Sequence, residues 1–117
     1  MVNGTLNILY AAHKAGVKRV VYSASSSAYG DTTEFPTPET AAANPMSPYG
    51  VTKYASELIS ILKSKQKKID LLCLRPFNTF GPYQSEKAII PEIILKCLQN
   101  KEIKTTEGKQ TREFNYI

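Results

Sequence analysis

An α/β fold, with helices on both faces of a doubly wound parallel sheet, is what this chain of 117 residues predicts. Three observations point there. Helix-period apolar patterns alternate along the chain with short β-branched runs. The segments between strand candidates are long enough to hold the crossover helix that parallel neighbours require. The segments leaving the strand ends are rich in Ser, Gly, Pro and Asn, as loops at the binding edge of such a sheet are.

The first helix is expected over about Gly4 to Ala15, with Leu6, Ile8, Leu9 and Ala12 at helical spacings and Gly16 placed to cap it. Lys18-Arg-Val-Val-Tyr-Ser23 follows as a buried strand. From Ser23 to Asn44 the composition turns to Ser, Thr, Gly and Pro, which marks a loop opening at that strand's carboxyl end. Ser47-Pro48 supplies a cap and a first-turn proline for a helix running to about Lys68, with Tyr54, Leu58, Ile61 and Leu62 expected on its apolar face. Asp70-Leu-Leu-Cys-Leu74 is a second buried strand, and Arg75 to Pro82 is rich in breakers. Ile89 to Gln99 forms an apolar helix, and Glu102 to Thr106 is expected as a short strand.

Apolar residues at 42% and charged residues at 21% exclude a wholly disordered chain. No apolar run approaches the roughly 20 residues of a membrane span, and the N-terminus lacks a basic-then-apolar signal pattern. A cytoplasmic chain without membrane contact is the expectation. Cys73 and Cys97 sit singly in apolar runs and read as small buried hydrophobes. With one histidine, His13, and no Cys-x-x-Cys spacing, no metal site is expected. The net charge of +5 makes a nucleic-acid partner worth weighing. Lys63, Lys65, Lys67 and Lys68 supply most of it, at a helix end where cations suit the dipole. No aromatics interleave to stack bases, so nucleic acid is not the expected partner. An anionic small molecule such as a nucleotide is.

Tyr49-Gly-Val-Thr-Lys53 is the sharpest chemical candidate. Positions i and i+4 share a helix face, so an ammonium can lie near a phenol and favour its ionised form, which makes a base of it. The spacing alone does not decide, because Tyr10/Lys14 and Tyr83/Lys87 share it. Tyr10 falls mid-helix among alanines and reads as packing; Tyr83 falls in a proline-bounded loop. Tyr49 opens a long helix, and Ser25 lies at a strand end, placed to bind the same substrate hydroxyl. On the residues alone, catalysis and plain packing both stay open for Tyr49 and Lys53.

Four linked runs narrow the choice: VKRVVYSASSSAYGD (17–31), NPMSPYGVTKYASE (44–57), LRPFNTFGP (74–82) and QTREFNYI (110–117). In this order they resemble the extended short-chain dehydrogenase/reductase superfamily, the NAD-dependent nucleotide-sugar epimerases and dehydratases. The opening VNGTLNILYAAHKAG is similar to the helix before that family's catalytic strand. The resemblance implies a Rossmann-like sheet of which this chain, 1–117, is the C-terminal part of a partial epimerase/dehydratase domain. The first βαβ units with the glycine-rich NAD turn are expected upstream, and a substrate lobe downstream. It implies NAD as cofactor, a nucleotide-sugar substrate and a homodimer. Ser25, Tyr49 and Lys53 match the catalytic set, and Tyr49, Lys53 and Phe77 the positions meeting NAD. Ser25, Ser26, Ser27, Asn78 and Arg112 match substrate positions; Asn78 serves the phosphates, and Arg112 is the guanidinium that grips the diphosphate.

The family's dehydratases carry an acid just after the active-site hydroxyl residue, and its decarboxylases keep a glutamate at the place of Ser27. Here Ser26 and Ser27 stand instead, and a hydroxyl is no general acid near neutrality. The run therefore resembles the UDP-hexose 4-epimerases. The same resemblance leaves a 4,6-dehydratase, a decarboxylase or a non-catalytic piece as the alternatives.

Overall fold

The computed structural model describes residues 1–109 and 111–117. It divides into two compact units, Met1–Pro76 and Phe77–Ile117.

In the first unit, helix α1 (Val2–Lys14) ends as its sequence dictates. Gly16 takes a left-handed φ of 68°, which carries the Val17 N–H back to the Ala12 carbonyl at 3.0 Å. Strand β1 (Arg19–Ser23) pairs in parallel with β2 (Asp70–Leu74), in a register running from Arg19 opposite Asp70 to Ser23 opposite Leu74. Between them lie a short three-ten turn (Ser26–Ala28) and helix α2 (Pro48–Lys67), the crossover that a parallel pair needs. The Ser47 side chain caps α2 by accepting from the Gly50 N–H at 3.0 Å, and Pro48 opens its first turn. Helices α1 and α2 pack on each other, and α2 packs on β2.

The buried core of this unit holds Leu9, Ala24, Ala28, Tyr29 and Ile69. Of the apolar face expected on α2, Tyr54 and Ile61 are half-buried, and the other two residues are not. Leu58 and Leu62 are exposed, whereas Ser56, Ser60 and Ser64, each four residues on, are buried. The serines are admissible there because each hydroxyl bonds a carbonyl of its own helix: Ser56 to Thr52 at 2.8 Å, Ser60 to Ser56 at 2.7 Å and Ser64 to Ile61 at 2.9 Å. Their polarity is satisfied internally, and their small volume lets neighbouring elements approach.

Both strands alternate. Val20, Tyr22, Leu71 and Cys73 are half-buried on one side, while Val21, Leu72 and Leu74 are exposed on the other. Two helices that pack on each other leave this unit's second sheet face open.

The second unit is built on β3 (Asn78–Phe80) and β4 (Phe114–Tyr116), parallel, with Asn78 opposite Phe114 and Phe80 opposite Tyr116. The Phe80 ring meets Phe114 and Tyr116 edge to face, at centroid distances of 6.4 and 5.4 Å. Helix α3 (Ile89–Leu98) connects them. Two expectations fail here. Glu102 to Thr106 is irregular, since Ile103 is its one apolar side chain and it meets no partner strand; the pairing goes instead to the aromatic-rich Phe114–Tyr116. Cys97 is exposed rather than buried, because α3, with Glu92 and Lys96 paired on one side and apolar residues on the others, buries none of its residues. Among the described residues no helix is long and apolar enough to cross a membrane.

Candidate active site

The chemistry-bearing residues of the first unit gather where β1 and β2 end. The Ala24 N–H donates to the Leu74 carbonyl at 2.7 Å and the Ser26 N–H to the Pro76 carbonyl at 3.2 Å, so the chain leaving β1 stays tied to the end of β2. It then turns at once. Ser25 caps that turn, its Oγ accepting from the Ser27 N–H at 3.2 Å and from the Ser27 hydroxyl at 2.8 Å. A hydroxyl oxygen that accepts twice keeps its own proton to donate. Ser25 is thus a ready donor, and Ser27 the side chain that orients it.

This serine turn lies against the first turn of α2. A Cβ built on the buried Gly50 would stand 2.8 Å from the Ser27 carbonyl oxygen, too close for any side chain. Glycine after Tyr49 therefore lets the two segments touch. Past Ala28 the chain is held again, as the Asn44 N–H donates to the Ala28 carbonyl at 2.9 Å. Gly30, with φ of 66°, leaves no room for a side chain beside the Asn44 carbonyl.

Tyr49, in the first turn of α2, is half exposed at 52%. Lys53, one turn later, has its Nζ 6.0 Å from the Tyr49 ring centroid and 5.7 Å from that of Tyr22. The ammonium donates to the Ser23 carbonyl at 2.8 Å, which anchors it at the end of β1. The rival pairs differ. Tyr10 is exposed, with the Lys67 Nζ of the neighbouring helix 5.9 Å from its ring, a contact between α1 and α2. Tyr83 is fully exposed in a loop.

Phe77, Asn78 and Arg112 belong to the second unit. Phe77 is half-buried. The Asn78 side chain donates to the Glu113 carbonyl at 3.0 Å, which places it one residue from Arg112. Arg112 is exposed and donates to the Thr111 carbonyl at 2.9 Å.

A cluster that sequence reasoning passed over lies beside the serine turn. Arg75, directly after β2, forks onto the buried Glu57 carboxylate and lies between the rings of Tyr29 and Tyr54. Its hydrogen bonds to Glu57 hold the guanidinium above its ordinary pKa, so it stays charged. The signal was present: Tyr49, Lys53 and Glu57 fall four apart on one helix face. Next to Arg75, burial pushes the Cys73 thiol up from its ordinary pKa.

A hydroxyl donor, a phenol and an anchored ammonium at the carboxyl end of parallel strands form a site equipped to move a proton at a bound hydroxyl. Comparison with known proteins agrees in class. Over residues 1–117 the chain matches the model of the NAD dependent epimerase/dehydratase family, and it belongs to that family. A Methanocaldococcus jannaschii protein provisionally named a UDP-glucose 4-epimerase is 36% identical over 121 residues, covering 99% of this chain and 40% of that protein. A solved UDP-N-acetylglucosamine 4-epimerase from Methanobrevibacter ruminantium superposes with a TM-score of 0.90 at 32% identity, covering 98% of this chain and 39% of that one. A dTDP-glucose 4,6-dehydratase from Streptomyces venezuelae, solved with NAD bound, gives a TM-score of 0.90 at 29% identity over 98% of this chain and 36% of that one. The chain thus spans about two fifths of the length of these relatives, and it shares their Rossmann-type α/β fold.

Proposed function

We propose that the whole protein carrying this chain is a cytoplasmic, NAD-dependent epimerase that inverts C4 of a UDP-hexose through a 4-keto intermediate. The observation that carries the reading is the serine turn seated on the first turn of α2, with Lys53 anchored to the end of β1. The donor set fits the nicotinamide-ribose end of NAD. The Lys53 ammonium spends one of its three donors on Ser23 and keeps two for a ribose diol, beside the half-exposed ring of Tyr49. NAD, when bound, supplies the acceptor and donor for the C4 hydride.

This chain's residues do the rest. Ser25 donates its free proton to the C4 oxygen and holds it toward Tyr49. Tyr49 as phenolate takes the C4 hydroxyl proton and returns it after the keto sugar has turned over. Lys53 holds its ammonium beside the Tyr49 ring, a fixed positive charge next to the proton acceptor. By the family resemblance Phe77 would meet the nicotinamide end of NAD and Asn78 the phosphates, and Arg112 would offer a planar fork suited to a diphosphate.

Epimerisation is favoured over water loss because Ser26 and Ser27 bring no carboxyl to protonate a leaving hydroxyl, and the Ser27 hydroxyl is already committed to Ser25. A homodimer is supported by Val51, Leu58 and Leu62, exposed apolar residues seven and four apart on one side of α2. The test is to incubate the whole protein with NAD and UDP-glucose, UDP-N-acetylglucosamine or UDP-glucuronate and follow the products by NMR. Appearance of the C4 epimer is expected. Accumulation of a 4-keto-6-deoxy sugar would make the protein a dehydratase instead.

A further inference from the structure

We propose that Arg75 is a positioning residue for this reaction, a clamp that sets the serine turn against α2. The proposal rests on the site read above. Its geometry is that of a single planar cation touching both α2 and the residue that ends the serine turn. The Arg75 Nε donates to the Glu57 oxygens at 3.2 and 3.0 Å, and Nη2 donates at 2.8 Å. The Cζ atom lies 4.7 Å from the Tyr29 ring centroid and 5.5 Å from that of Tyr54. Both ionic side chains are shielded, Arg75 at 19% and Glu57 at 6% exposure.

The connections explain what the clamp holds. Tyr29 directly follows the turn whose first residues include Ser25 and Ser27. Tyr54 and Glu57 lie on α2 just after Lys53 and less than three turns after Tyr49. Arg75 itself follows β2, between the Leu74 and Pro76 carbonyls that receive the Ala24 and Ser26 N–H groups. A shift of the guanidinium would therefore move the serine turn relative to α2. The backbone bonds at Ala24 and Ser26 fix the turn's entry; at its exit the Asn44 N–H holds the Ala28 carbonyl, and the Tyr29 contact is what ties the exit to α2 through Arg75.

The fork and the stack both need a guanidinium. Lysine keeps the charge but has one point of contact and no plane, so Arg75→Lys retains the buried ion pair while loosening the turn. Arg19 offers a contrast. It pairs with Asp70 at the opposite end of the strands, exposed on both sides, and holds no part of the site.

The whole protein is compared with Arg75→Lys, Glu57→Gln and, as control, Arg19→Lys. Hydrogen–deuterium exchange should speed up by tenfold or more across residues 24–29 in the first two variants and stay unchanged in the control. In the epimerase assay, kcat should fall by about 10–100-fold with KM within about threefold, an orientation loss rather than a binding loss. On a Ser25→Ala background, Arg75→Lys should cost little more, because the turn then has no donor left to orient. Exchange that rises uniformly, or losses that simply multiply, would overturn the clamp and leave Arg75 a general stabiliser. If Arg75→Lys does not fold, Glu57→Gln carries the same comparison with the charge removed and the shape kept. If the unaltered protein epimerises no UDP-sugar, the functional reading fails alone; the exchange pattern still decides the clamp.

Discussion

Tyr49 and Lys53 share a spacing with two other tyrosine–lysine pairs, and their surroundings separate them. Only at Tyr49 does the lysine lie over the ring while its ammonium is anchored on a strand end, at the Ser23 carbonyl. Tyr49→Phe keeps the ring and removes the proton acceptor, so turnover in the whole protein should fall by about 10²–10⁴-fold with the melting temperature little changed. Tyr83→Phe, altering a fully exposed loop side chain, should leave kcat alone. Equal damage from both would misplace the active site. The two cysteines give a second residue-scale expectation. Burial pushes the Cys73 thiol up and keeps it protonated at neutral pH, while Cys97 stands exposed on α3. Labelling of the native chain with a chromogenic disulfide should therefore modify Cys97 first and Cys73 only slowly. Cys73 reacting as fast as Cys97 would mean that β2 does not shield it.

At the scale of elements, the helices and first strands were legible because local signals agreed with tertiary need. Ser47-Pro48 fixes the start of α2, Gly16 ends α1, and Arg19–Ser23 and Asp70–Leu74 are dense in strand formers. Ser25, Tyr49 and Lys53 stand out as candidates by motif and spacing, and Glu57 continues the Tyr49–Lys53 spacing; its partner Arg75, 18 residues away, leaves no local pattern. The short strands were illegible for the same reason. Asn78–Phe80 hides among breakers, and its partner Phe114–Tyr116 is chosen by aromatic contacts made only after pairing. The buried side of α2 misled in another way: periodicity marks Leu58 and Leu62, yet the residues packed inside include the small Ser56, Ser60 and Ser64. Gly50 carries the sharpest element-scale prediction. Gly50→Ala would improve helix propensity, but its methyl would stand 2.8 Å from the Ser27 carbonyl. Overpacking of that kind costs about 1–3 kcal/mol and outweighs a propensity gain of about 1 kcal/mol or less. Thermal unfolding of the whole protein should show a net loss, with kcat falling too as the serine turn is pushed off α2. A stabilised, fully active variant would mean the two segments do not touch.

Among the described residues more large apolar side chains are exposed than the small core buries. Val21, Leu72 and Leu74 form an open sheet face on the first unit, each about half exposed, and α2 adds Val51, Leu58 and Leu62 outside the buried serines. On the second unit α3 presents Ile89, Ile93, Ile94 and Leu98, with no residue buried. Two-stranded sheets are marginal when so little covers them, and contiguous apolar patches on a chain in water are sites of association. The net charge of +5 opposes association, but salt screens charge and leaves apolar burial in place. The 117-residue chain produced alone should therefore self-associate, and more so as salt rises. Light scattering behind size exclusion at low and high salt measures this directly. Leu58→Glu with Leu62→Glu should reduce the associated mass if α2 is the contact, and should leave it unchanged if the open sheet face is. A monodisperse monomer with a cooperative thermal transition at both salt concentrations would show that these faces are content in water.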